Sequence, residues 1–315
     1  MRNLRIVFMG TPEFAVESLK KLVENNYTIA GVITAPDKPA GRGRSIRQSA
    51  VKQYAVSQNL KVLQPTNLKD EQFLAELRSL NANLQVVVAF RMLPRAVWQM
   101  PEYGTFNLHA SLLPDYRGAA PINHAIINGE SVTGVTTFFI DDKIDTGEII
   151  LREKEDILPD DNAGSLHDKL MKTGAELVLT TVRQIETGHV ATRKQEEVSD
   201  PKTASKIDKD TCRIDWNKGI AEIYNHIRGL SPYPGAWTTL FNNDKETQVK
   251  IYGTEKEKVS HNEPTGNIVT AKGEVKVAAS DGFIKLKEIQ LPGKRKMNIV
   301  DVLNGYTFHP GARVS

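Results

Sequence analysis

Asn107, His109 and Asp145 of this 315-residue chain have types suited to handling a polar reacting group. Asn107 and His109 stand two apart in Phe106-Asn-Leu-His-Ala-Ser-Leu-Leu-Pro114. In an extended segment both would leave one face, while Leu108 and Ala110 leave the other. A carboxamide and an imidazole on one surface can donate hydrogen bonds to a bound oxygen, and a carboxylate brought beside them can exchange a proton. A plainer reading of the same residues stays open. Asn107 is also a turn former, His109 could be a half-buried histidine satisfied by a backbone carbonyl, and Asp145-Thr-Gly147 is good hairpin-turn chemistry.

To present such a pair, the segment must end a strand. The first half alternates apolar, β-rich runs with helix-period segments, which predicts a doubly wound, mostly parallel α/β sheet of Rossmann-like type. Residues 4–9 read as the first strand, and Gly10-Thr-Pro12 opens a helix carrying Phe14, Val16, Leu19, Leu22 and Val23. Strands follow at 27–35, 61–63 and 85–90, with helices at 48–58 and 69–80; the uncharged run at 85–90 reads as a central parallel strand. Beyond it come the segment 105–110, a helix at 119–129, strands at 134–140 and 148–153, and a long helix at 163–186 despite Gly174. Ligands of wound sheets bind beyond the carboxyl ends of the strands, which is where Asn107 and His109 would lie. From Arg193 to Asp210, ten of 18 residues are charged and none is aromatic, so 190–211 reads as a linker between a first domain at 1–189 and a second at 212–315. Short alternating runs at 249–252, 266–270, 275–278 and 284–289 predict that the second is a small OB-like β-barrel.

Composition narrows the classes. Hydrophobic residues are 40% and charged residues 25%, as in globular proteins rather than disordered chains. One cysteine, Cys212, allows no intrachain disulfide and no thiolate zinc cluster, and no apolar run approaches the roughly 20 residues of a membrane helix. A cytoplasmic protein without membrane contact is expected. Met9-Gly-Thr-Pro-Glu-Phe14 has one glycine where a dinucleotide fingerprint needs three. P-loop, nucleophile-elbow and His-Glu-x-x-His patterns are absent, so no metal is expected. The net charge of +3 is small, and its excess falls after residue 190, where the chain carries +4 against −1 before it.

The ordered set Gly10-Thr-Pro12, Pro36-Asp-Lys-Pro-Ala-Gly-Arg-Gly-Arg44, Asn107-Leu-His-Ala-Ser-Leu-Leu-Pro114, Tyr116-Arg-Gly118, Ala120-Pro-Ile122, Asp145-Thr-Gly147 and Ile227-Arg-Gly-Leu-Ser-Pro232 resembles the folate-dependent formyltransferases, in particular those acting on methionyl-tRNA. The resemblance spans nearly the whole chain. It implies formyl transfer from 10-formyltetrahydrofolate, as co-substrate, to the α-amine of initiator methionyl-tRNA. Asn107, His109 and Asp145 match the family's catalytic asparagine, histidine and aspartate. Ser111, Leu112, Leu113 and Pro114 match its folate-contacting segment, and Phe90 and Leu93 would line the pocket. Where relatives commonly carry Tyr-Gly after the central strand this chain has Phe90-Arg91, which alters packing and entrance charge. By composition the basic loop at 36–47 reads as a solvated surface excursion, but the resemblance implies that it reaches the tRNA acceptor end through Arg42 and Arg44, and Lys206, Lys209 and Arg213 are candidates for further phosphate contacts. Glycinamide ribonucleotide and sugar-nucleotide formyltransferases are the alternatives within the family, and a catalytically silent RNA-binding protein is the alternative outside it. The protein is expected to be a monomer.

Overall fold

Five consecutive buried residues, Leu84–Val88, form the middle strand of a seven-stranded sheet. The one polar member, Gln85, accepts a hydrogen bond from Thr105 Oγ1 at 3.0 Å, so burial leaves its side-chain oxygen satisfied. In the computed structural model, which describes residues 1–40, 45–271 and 273–315, the strands run from edge to edge as Ile149–Asp156, Val132–Phe139, Thr105–His109, Leu84–Val88, Arg5–Gly10, Thr28–Ile33 and Val62–Leu63. The last five are parallel to their neighbours, whereas Val132–Phe139 runs antiparallel to Thr105–His109 and to Ile149–Asp156. The wound, mostly parallel sheet is thus as expected, with an antiparallel pair at one edge.

Gly10 shows how tightly the first strand meets its helix: a Cβ there would lie 2.6 Å from Ala15 Cβ and 3.0 Å from the Val88 carbonyl oxygen. The helix Glu13–Glu24 therefore starts directly at the strand end and buries Phe14, Ala15, Ser18, Leu19 and Leu22. Ser49 and Asp70 cap the helices Ala50–Ser57 and Glu71–Ser79 by accepting from the Lys52 and Phe73 amides, at 3.0 and 2.9 Å. Gly174, inside the helix Ala163–Thr187, has a packing reason. A Cβ there would come within 2.7 Å of Leu108 Cδ2, and Leu108 is the residue between Asn107 and His109.

The chain divides into two units. Met1–Gly118, Val132–Asp156 and His167–Thr203 form the first; Ala119–Ser131, Ile157–Leu166 and Ala204–Ser315 form the second. This differs from a division at residues 189 and 212. Two short segments within 1–189 pack with the second unit, and much of the expected linker is hydrogen-bonded into the first: Arg193 pairs with Ile149 through bonds of 2.8 and 2.9 Å, and the Lys202 carbonyl accepts from the Tyr116 amide at 2.6 Å.

The second unit is a nearly closed antiparallel barrel. Its strand order is Ile268–Ala271, Glu274–Ala279, Gly282–Gln290, Lys245–Glu257, Ala236–Asn242 and Arg313–Val314, with Met297–Asn298 beside Gly282–Gln290. An antiparallel bridge from Asn267 to Arg313 joins the two edges. The helix Ile220–Gly229 buries Ile220, Ile223 and Ile227 in a core with Val249, Ile251 and Ile284. Two departures from the sequence reading have clear causes. The strand Ala236–Asn242 alternates buried and half-buried residues, but Trp237 and Phe241 on its more open face are aromatic, which hides the period. Lys245–Glu257 runs well beyond 249–252 because its charges are paired across the sheet: Glu257 meets Lys276 at 2.7 Å and Lys285 at 3.0 Å, and Glu255 meets Lys287 at 3.0 Å.

Candidate active site

Asn107 and His109 lie on the strand Thr105–His109, paired with Phe138 and Thr136 of the antiparallel neighbour. Being two apart on one strand, they share a face. Among the described residues the Asn107 carboxamide has no hydrogen-bond partner, although the residue is half-buried. It is a donor with nothing to donate to.

His109 is only 6% exposed, and both ring nitrogens have neighbours. Nε2 lies 2.8 Å from the Tyr116 carbonyl oxygen, and Nδ1 lies 3.8 Å from Asp145 Oδ2. A carbonyl oxygen only accepts, so Nε2 carries a proton and donates it there; Nδ1 is then an acceptor in the neutral ring and a donor in the cation. The Asp145 carboxylate is itself held, since Oδ2 accepts from the Gly118 amide at 3.1 Å. Folding therefore brings His109 and Asp145 together, through a turn at Tyr116 (φ 59°) and another at Asp145 (φ 55°), with Asn107 on the same strand face as His109.

The Asp145 turn is built by its neighbours. Asp141 accepts from Thr146 Oγ1 at 2.8 Å and from the Lys143 amide at 3.0 Å. Gly147 packs so closely on Phe139 that a Cβ would overlap the Phe139 carbonyl oxygen. On the other side Gln195 donates from Nε2 to the carbonyls of Asp145 and Gly147, both at 2.9 Å, and accepts from Arg117 Nε at 3.1 Å. Sequence reasoning missed Gln195, the Tyr116 carbonyl and the Gly118 amide. Backbone groups leave no side-chain signature, and Gln195 sits in a charged run that reads as a spacer.

The expected folate segment divides by burial. Ser111 and Leu113 are fully buried: Ser111 Oγ donates to the Asp115 carbonyl at 2.6 Å, and Leu113 packs with Phe138 and Ile149. Their side chains are committed to the fold, so they can reach a ligand through the backbone, whereas Leu112 and Pro114 are half-buried. Leu93 is buried at 8% in the apolar cluster with Val87 and Val97, and Phe90 packs on that cluster. Arg91, at the departure from the family pattern, donates through Nη1 to the Thr66 carbonyl at 2.9 Å and through Nη2 to that of Pro65. Its guanidinium fastens this loop to the neighbouring one.

Of the expected tRNA contacts, Arg42 and Arg44 lie outside the described residues; the strands Lys38–Ala40 and Ser45–Arg47 that flank them pair antiparallel. At the foot of this hairpin the Asp37 carboxylate accepts from Gln64 at 2.7 Å and from Lys52 at 2.5 Å, contacts that hold its pKa below the ordinary carboxylate value. In the second unit Lys209 and Arg213 are exposed and stand 5.5 and 5.8 Å from the centre of the Trp237 ring, whose Nε1 donates to the Lys209 carbonyl at 2.7 Å. Lys206 is exposed. A cleft of about 410 Å³ lies beside Arg213 and is also lined by Asn128, Lys218, Glu222 and His226.

An amide and an imidazole on one strand face at the end of a wound sheet, with a carboxylate set against the imidazole, supply the donor and proton-exchanging groups that acyl-group transfer uses. Residues 4–182 match the family described as Formyl transferase, and residues 206–307 match Formyl transferase, C-terminal domain; the chain belongs to the formyl transferase family. Its relatives named methionyl-tRNA formyltransferase include one from Flavobacterium johnsoniae, 59% identical over 314 residues and covering 100% of both chains. Another, from Parabacteroides distasonis, is 57% identical over 311 residues, covering 96% of each. Among solved structures, the N-formyltransferase from Helicobacter canadensis in complex with folinic acid and dTDP-3-aminofucose matches with a TM-score of 0.63 at 22% identity, over 90% of this chain and 98% of its own. Glycinamide ribonucleotide transformylase 1 from Symbiobacterium toebii matches with a TM-score of 0.51 at 16% identity, over 61% and 94%. These two likenesses are of fold.

Proposed function

We propose that this protein transfers the formyl group from N10 of 10-formyltetrahydrofolate to the α-amine of methionine esterified to initiator tRNA. The observation that carries this reading is Asn107 and His109 on one strand face, with His109 Nδ1 3.8 Å from the Asp145 carboxylate. The full-length likeness to methionyl-tRNA formyltransferases selects the acceptor, ahead of glycinamide ribonucleotide or a sugar nucleotide.

The chemistry follows from the groups present. An α-amine has an ordinary pKa of about 7.7 to 8.0, so part of it is already neutral near pH 7. Its electron pair forms the new N–C bond while the carbonyl π pair moves onto oxygen. Asn107 donates to that oxygen, and His109 donates from Nδ1 as the cation, because Nε2 is occupied by the Tyr116 carbonyl. Asp145 is the anionic partner that such a ring requires. When the carbonyl re-forms, the bond to N10 breaks and its electron pair takes a proton; Asp145 relays that proton from the attacking amine through water. Leu112, Pro114 and the backbone of Ser111 and Leu113 hold the folate, with Phe90 and Leu93 supporting the pocket. Arg42 and Arg44 meet the acceptor stem, and Lys206, Lys209 and Arg213 meet phosphates elsewhere on the tRNA. The enzyme works in the cytoplasm as a monomer, and no helix among the described residues is long and apolar enough to cross a membrane.

The test is to incubate the purified protein with 10-formyltetrahydrofolate and, separately, charged initiator tRNA, charged elongator methionine tRNA, glycinamide ribonucleotide and an amino-sugar nucleotide. Rapid formylation of the initiator species alone is expected. Formylation of one of the small molecules in preference to the tRNA would overturn the assignment.

A further inference from the structure

Across 191–203 every residue is exposed except Gln195, which is half-buried. Its primary amide is used on both sides. The two N–H groups donate to the Asp145 and Gly147 carbonyls at 2.9 Å each, and the oxygen accepts from Arg117 Nε at 3.1 Å and from its Nη2. Only a side chain with donors at one atom and an acceptor at the other satisfies both neighbours; glutamate lacks the donors and lysine the acceptor.

The two segments that Gln195 joins determine where the proton-handling groups sit. One contains Tyr116, whose carbonyl anchors His109 Nε2, then Arg117, then Gly118, whose amide holds the Asp145 carboxylate. The other is the turn that carries Asp145 itself. Asp145 has φ 55°, the left-handed turn conformation that aspartate tolerates, and its place in that turn is fixed by the contacts its neighbours make. Gln195 supplies two such contacts, on the carbonyls either side of Thr146. Its own backbone is fixed nearby, because Arg193 pairs with Ile149 and Thr192 Oγ1 donates to Glu148.

We propose that Gln195 is a positioning residue for formyl transfer, setting the distance between the Asp145 carboxylate and the His109 ring by bridging the 116–118 segment to the 145–147 turn. This rests on the catalytic roles given above to His109 and Asp145. Displacement of a reacting group by about 1 Å costs on the order of 100-fold in rate, so loss of the bridge acts on kcat rather than on substrate affinity.

The experiment is a double-mutant cycle in steady-state formylation of initiator methionyl-tRNA, using the full-length wild type, Gln195→Met, Gln195→Glu, Asp145→Ala and the Gln195→Met/Asp145→Ala pair, with the thermal midpoint of each recorded. Gln195→Met is expected to lower kcat on the order of 10- to 100-fold, with KM for both substrates and the midpoint close to wild type. In the Asp145→Ala background the same change should cost little further, since coupled residues are not additive. Gln195→Glu, which retains the Arg117 contact but loses both donors, should be as slow as Gln195→Met. Wild-type kcat in either single Gln195 variant, or a full additional loss in the double variant, would overturn the proposal while leaving the catalytic trio in place. Unimpaired Asp145→Ala would instead remove the reading on which it rests.

Discussion

The ring of His109 is fastened from behind by the backbone of Tyr116, with Nε2 2.8 Å from the Tyr116 carbonyl oxygen. The tautomer is thus set by a peptide group rather than by Asp145, which leaves Nδ1 facing the carboxylate at 3.8 Å. That spacing is longer than a hydrogen bond and leaves Nδ1 able to serve a second partner.

His109→Ala and Asn107→Ala should each reduce kcat by about 10² to 10³, the usual cost of one oxyanion donor. Binding of 10-formyltetrahydrofolate, measured by fluorescence quenching, should change little. A variant with near-normal turnover would show that its side chain is not a donor in the reaction.

Gly147→Ala should damage the protein more than its size suggests. The new methyl group would overlap the Phe139 carbonyl oxygen, which is backbone in a paired strand and has little room to move. A loss of about 1–3 kcal/mol or more is expected from such overpacking, together with reduced kcat because Asp145 shares the turn. Urea unfolding and turnover of the same sample check both.

Stability should fall on acidification through His226. Burial lowers the pKa of His226 from the ordinary 6.5, against backbone hydrogen bonds with Cys212 and Arg213 that oppose the shift, and Nε2 is buried without a hydrogen-bond partner among the described residues. The folded ring therefore stays neutral where the unfolded ring has gained a proton. Below about pH 6.5 the unfolded state binds more protons, so stability declines with falling pH until the folded ring also titrates; above that window this residue contributes no pH dependence. His226→Gln should lose less of its thermal midpoint than the wild type between pH 7.5 and pH 5.5. Equal losses in the two proteins would show that other groups carry the acid sensitivity.

Lys209 and Arg213 share the Trp237 ring, so they present their charges as a pair. Removing both should raise KM for tRNA, leave folate binding unchanged and flatten the dependence of log KM on log salt by about 0.7 to 0.9 per lost phosphate contact. An unaltered salt slope would place the tRNA contacts elsewhere.

The site was legible where it depends on side-chain types and local period. The shared face of Asn107 and His109 was readable because an extended segment obeys a two-residue repeat, and the turn at Asp145 because Asp-Thr-Gly makes turns, but the grouping of the three came from the resemblance to formyltransferases. The plainer reading of these residues fits in part: His109 is satisfied by a backbone carbonyl and Asp145 occupies a turn, whereas Asn107 lies within a strand and not in a turn. Tyr116, Gly118 and Gln195 were not legible in the same way. Two act through peptide groups, and the third is one amide among ten charges whose partners lie 48 to 78 positions away in sequence. In the second unit, the long strand Lys245–Glu257 was obscured because its charges find partners only once neighbouring strands assemble.

The division of the chain limits how such proteins can be recombined. The helix Pro121–Ile127, arriving from far upstream, packs on Ile220–Gly229: Ile127 fills the space a side chain at Gly229 would need, and Asn123 Nδ2 donates to the Gly229 carbonyl at 2.7 Å. A gene fragment beginning near residue 204 would encode a barrel stripped of that helix. A chimera joined there would set a transplanted barrel against the host's helix, so crossovers that succeed should preserve matched residues at 123, 127 and 229, and inheritance of the two units should be linked in consequence.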